Sequence, residues 1–119
     1  MPSTDKHREQ YLHNKNLLTD DVFSDGDDFT DWYITVIFYS AVHLVEQEIS
    51  KHNIDPGSHE ARFKWMNRDT SLKMVSNEYN ILYWASRRAR YDCVTFTKKD
   101  VESIRSNFEK IESLLVPAS

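Results

Sequence analysis

Apolar residues return at three- and four-residue steps along much of the chain, and that rhythm predicts helices. It is most regular near the carboxyl end, where Val101, Ile104, Phe108, Ile111 and Leu115 form a seam suited to a partner helix. Thr97 and Asp100 precede that seam in a Thr-x-x-Asp arrangement resembling a capping box, and Pro117 marks its stop. A second helix is predicted from about Phe29 to His52. Its apolar residues, among them Trp32, Tyr33, Ile37, Tyr39, Val42 and Val45, cover most of the circumference, so other helices should surround it. Ser3 or Thr4 can cap a first helix to about Leu18, with Tyr11, Leu12 and Leu18 as its stripe. "TDDVFSDGDD" reads as a loop whose Asp27 or Asp28 caps the second helix. After the break at Pro56 and Gly57, a short helix should run from Ser58 to about Asn67 and a longer one from about Ser71 to Tyr91. The sum is a single domain over residues 1–119, an all-α, antiparallel four-helix bundle with an extra short helix.

Composition supports that reading. Two glycines and three prolines in 119 residues are too few for the frequent turns of a sheet protein. The longest apolar stretch, Trp32 to Val45, is 14 residues and too short to span a bilayer, so no membrane association is expected. Cys93 is the only cysteine, which excludes an internal disulfide, and no signal peptide opens the chain, so a cytoplasmic location is expected. A net charge of −4 argues against a uniformly basic nucleic-acid coat. The charge is uneven, however. Residues 1–31 carry eight acids against three bases, whereas residues 58–92 carry seven bases against four acids.

The basic excess peaks in "YWASRRARYDC", from Tyr83 to Cys93. On a helix Tyr83, Arg87 and Arg90 share one side, with Tyr91 nearby and Arg88 pointing elsewhere. Guanidinium groups beside aromatic faces suit phosphates and stacked bases. The same arginines also suit the negative end of a helix, or ion pairs with the acids of residues 20–31. A polar strip crosses the second helix through Tyr39, His43, Glu46 and Ser50, and such groups need partners, for which His59, Arg62 or the arginine cluster are available. His43 and His59 are candidate acid/base groups. His43-x-x-Glu46 alone is a poor metal motif, because carboxylate metal bundles need a second such set and none is present; no metal and no cofactor are expected. In "SHEAR", Ser58 can cap a helix whose first turn carries His59 and Arg62, an arrangement open to an anion. "DGDD" lacks the alternation of a calcium loop, Cys93 lacks a positioned base, and two isolated glycines cannot cradle a phosphate.

Three landmarks in order, "FYSAVHLVEQEI", "SHEAR" and "YNILYWASRRARYD", resemble the HEPN family of small helical bundles over roughly half the chain. Ala89-Arg90-Tyr91 matches the Arg/Tyr end of the family's later helix. The resemblance implies a four- or five-helix bundle, a homodimer, a nucleotidyltransferase as partner and, in some branches, metal-independent ribonuclease activity through an Arg-x4–6-His motif. Here no histidine follows His59, so Arg87, Arg88 and Arg90 cannot complete that motif. Arg8 and His13 match it in the first helix, a coincidence that composition alone produces about once. The expected function is therefore a non-catalytic binding module for RNA or a nucleotide-like anion, with Tyr39, His43, Glu46, His59, Arg62, Tyr83, Arg87, Arg90 and Tyr91 as ligand-binding residues. A metal-independent ribonuclease using His43 or His59 with Arg87 or Arg90, and an assembly domain with structural arginines, are the alternatives.

Overall fold

The computed structural model describes residues 3–18, 29–92 and 96–116. The acidic loop with Asp27 and Asp28, Cys93 and Pro117 lie outside them. The described residues are all-helical: α1 (Thr4–Leu18), α2 (Thr30–Ser50), α3 (His59–Arg68), α4 (Thr70–Lys73), α5 (Ser76–Tyr91) and α6 (Lys98–Leu115). None of these helices is long and apolar enough to cross a membrane.

Helix α2 is central because its sequence leaves it little choice. Ile34, Ile37, Ala41, Leu44, Val45 and Ile49 are fully or almost fully buried, and together they line more than one side of the cylinder. Three longer helices cover them. Thr4 bonds Ser50 at 2.6 Å while His7 reaches His43 and Glu46, so α1 runs antiparallel to α2. Glu78 meets Lys110 and Arg88 lies over Phe96, so α5 and α6 are antiparallel as well. The α6 seam is buried at Ile104, Phe108, Ile111 and Leu115, and its capping box forms, with Asp100 N–H donating to Thr97 Oγ1 at 3.1 Å and Thr97 N–H to Asp100 Oδ2 at 2.9 Å.

Four local readings change. Helix α2 opens after Phe29 with no side-chain cap, and it ends at Ser50, where Asn53 takes a left-handed φ of 59°. Leu12 is exposed; the buried line of α1 is His7 and Tyr11, one helical turn apart, with Leu18 beyond. Trp32 and Tyr39 also face outward from α2. The expected helix over 71–91 is broken. Asp69 accepts from Leu72 N–H and starts the single turn α4, after which α5 restarts beyond Val75. The break sends both Leu72 and Val75 fully into the core.

Candidate functional site

The candidate residues gather into two clusters joined by α3. Ser58 caps that helix by accepting from Ala61 N–H at 3.1 Å, which sets the first turn. His59 and Arg62, three residues apart, then reach one cluster each.

In the first cluster the imidazole of His59 lies flat on Tyr83, ring centroids 3.4 Å apart and planes within 5°, with Phe63 at its edge. Tyr83 continues into Arg87, whose guanidinium lies 5.9 Å from that ring and 5.4 Å from Tyr91. Arg90 lies 5.3 Å from Tyr91 and 5.5 Å from Tyr39, and donates to the Tyr39 hydroxyl at 2.6 Å. A ladder of rings and guanidinium planes thus runs from α3 across α5 to α2. Arg88 lies apart, over Phe96. Among the described residues no carboxylate is within ion-pair distance of Arg87, Arg88 or Arg90; the acids at 20–28 lie outside those residues.

The second cluster sits where α1 crosses α2. His43 and Glu46, one turn apart, face His7: the two Nδ1 atoms are 3.0 Å apart, and Glu46 Oε2 is 3.2 Å from His7 Nδ1. Arg62 Nε lies 3.5 Å from the other carboxylate oxygen. A groove open to solvent, lined by Lys6, His7, Glu9, Gln10, His13 and His43, runs alongside. Between the clusters, His59 Nδ1, Arg62 Nε and Nη1 and the Tyr79 hydroxyl are buried with no hydrogen-bond partner among the described residues.

Burial, reinforced by His7 and Arg62, lowers His43 from 6.5 to about 4. Burial, reinforced by Arg62 and Arg87, lowers His59 from 6.5 to about 4. Both imidazoles are therefore neutral at pH 7, so neither is an imidazolium ready to act as general acid toward a leaving group. Burial pushes the Tyr79 phenol upward, so it too stays neutral.

All nine sequence-derived residues belong to one cluster or the other. Tyr39, His59, Tyr83, Arg87, Arg90 and Tyr91 form the ladder; His43, Glu46 and Arg62 do not join it. The residue that sequence reasoning missed is His7. Its signal was its place one turn before Tyr11, on the buried line of α1, which a search for apolar residues passes over. No family model, curated protein or solved structure matches this chain.

Proposed function

We propose that the chain is a HEPN-like four-helix bundle with an extra short helix, and that its Arg/Tyr/His ladder binds RNA or a nucleotide-like anion without cleaving it. The observation that carries the reading is the environment of Arg87 and Arg90. Both guanidinium groups rest on aromatic rings, and no carboxylate among the described residues neutralises them. Such groups keep donors and charge for a phosphate, and neighbouring π-faces accept a base. Tyr91 at 65% exposure leaves ring surface open beside both, and Trp84 at 56% adjoins Tyr83. The neutral state of His43 and His59 weighs against either serving as the general acid of a cleavage reaction.

The test is fluorescence anisotropy with labelled single-stranded RNA, structured RNA and a nucleoside triphosphate, in EDTA, between 50 and 200 mM salt on the order used for counterion analysis. Saturable, salt-weakened binding with intact RNA supports the module. Cleavage lost in His59→Ala would establish the ribonuclease instead, and absence of both binding and cleavage would leave assembly. A homodimer belongs to the same reading, with the exposed Phe29, just before α2, and Trp32 of α2 as apolar area for it, and a monomer in sedimentation at micromolar concentration removes it. The nucleotidyltransferase partner that the resemblance implies is tested by co-purification and identification of the bound protein.

A further inference from the structure

The second cluster has a chemistry that the anion-binding reading does not use. His7, His43 and Glu46 each bring one ligand atom, a ring nitrogen or a carboxylate oxygen, within 4.8 Å of the others, contributed by two helices. A carboxylate oxygen only accepts, and a neutral Nδ1 carries either a proton or a lone pair. If His7 Nδ1 carries the proton, that one proton is shared between Glu46 Oε2 at 3.2 Å and the lone pair of His43 Nδ1 at 3.0 Å. If His43 donates to His7 instead, the His7 lone pair faces the carboxylate oxygen. The cluster is rich in lone pairs and poor in protons.

A cation between them matches all three. For metal–ligand bonds of about 2.0–2.1 Å, the edge between adjacent ligand atoms is about 3.3 Å in a tetrahedral site and about 3.0 Å in an octahedral one. The two separations from His7 Nδ1, 3.0 and 3.2 Å, fall at those edges. Arg62 Nε lies at ion-pair distance, 3.5 Å, from the remaining oxygen of Glu46, on the side where an outer-shell partner of a ligating carboxylate sits. The groove along α1 reaches His7 and His43 and provides an entry path.

We propose that His7, His43 and Glu46 form a binding site for one first-row divalent cation of the zinc type, which clips α1 onto α2. Two imidazoles and one carboxylate favour zinc, cobalt or nickel over magnesium and calcium, which take oxygen-rich shells. Three protein ligands leave a further coordination position for water. The site is separate from the arginine ladder, and its existence does not depend on RNA binding.

The experiment is a titration of the untagged, chelator-stripped protein with Co2+, followed by the visible d–d bands, then displacement by Zn2+. Saturation at one equivalent and displacement by Zn2+ are expected. Glu46→Gln, which keeps the helix and the side-chain shape, should weaken binding by about 10-fold or more, and His43→Ala by about 100-fold, scaled from the losses that follow removal of metal-site groups. His52→Ala, away from the cluster, should bind as the unchanged protein does. Circular dichroism separates lost binding from lost fold, and the thermal midpoint of the unchanged protein should rise with Zn2+ concentration. Absence of a saturable one-equivalent event in the unchanged protein overturns the site, and so does binding that Glu46→Gln and His43→Ala leave intact.

Discussion

Lys15 and Lys110 end on carboxylates that the fold has buried, whereas Arg87, Arg88 and Arg90 end on aromatic rings. Lys110 Nζ donates to Glu78 at 2.6 Å, and the side chain of Glu78 is only 8% exposed. That lysine's hydrogen bond, opposed by burial, holds the Glu78 carboxyl below its ordinary range. Lys15 and the Tyr11 hydroxyl both donate to Glu112, tying α1 to α6. At these seams a cation is needed because a buried carboxylate without a partner is strongly destabilising. On the ladder no such debt exists: a guanidinium beside an exposed ring gains little and gives up little of its charge. Lys15 and Lys110 act as point charges that close helix seams; Arg87 and Arg90 present planar donors beside aromatic rings. Stability and recognition should therefore separate cleanly between the two sets.

The largest expected effect is on binding. Arg87→Ala combined with Arg90→Ala removes two charged donors, each worth about 1.5–3 kcal/mol toward an anion, so affinity for RNA or nucleotide should fall more than about 100-fold. Urea unfolding of the same variant should change by less than about 1 kcal/mol. A loss of stability larger than the loss of binding would break the comparison, because the arginines would then be part of the scaffold. Second is Lys110→Ala, which strands the buried Glu78 carboxylate and should lower unfolding free energy by about 2 kcal/mol, the exposure of the lysine keeping it below the value for a fully buried pair. Adding Glu78→Leu should recover part of that loss. RNA affinity should be unchanged in both.

Much of the ladder was legible in the sequence, since Tyr83, Arg87, Arg90 and Tyr91 lie within nine residues of one helix and periodicity alone puts them on one side. The capping box and seam of α6 were legible for the same reason: their contacts are local or repeat at a fixed step. What pairs with what across helices was not. Nothing in the spacing says that His7 lands on His43, 36 positions away, or that Lys110 rather than a loop acid meets Glu78. Those meetings depend on how far each helix slides along α2, a quantity decided by packing of the whole core. The break at Val75 was hidden too, because Leu72, Val75 and Tyr79 keep a helical step across it while Asp69 restarts the backbone.

A third effect sharpens the comparison through pH. His59 faces Arg62 from its own helix, and Tyr79, Tyr83 and Arg87 from α5, and its folded state titrates near 4 against 6.5 unfolded. Between those values the unfolded chain binds a proton that the folded chain refuses, so stability is complete above pH 6.5 and declines as pH falls toward 4. The upper bound is about 3 kcal/mol, and partial exposure of the ring reduces it to about 1 kcal/mol. His59→Phe keeps a ring on Tyr83 and cannot titrate. Compared at pH 7.5 and 4.5 in chemical denaturation, it should lose about 1 kcal/mol less than the unchanged protein; equal losses would remove His59 as the cause.

Arg88 supplies the smallest effect and the narrowest test of geometry. It belongs to the same run of sequence as Arg87 and Arg90, yet its guanidinium lies 5.8 Å from Phe96 and off the ladder. If nearness in sequence, and so general positive charge, were what attracts an anion, Arg88→Ala would weaken binding as much as Arg87→Ala. If the shared aromatic face is what matters, Arg88→Ala should change affinity less than about 2-fold and stability by less than about 0.5 kcal/mol. Measuring both variants at one salt concentration decides between charge and geometry, because the two substitutions alter net charge equally.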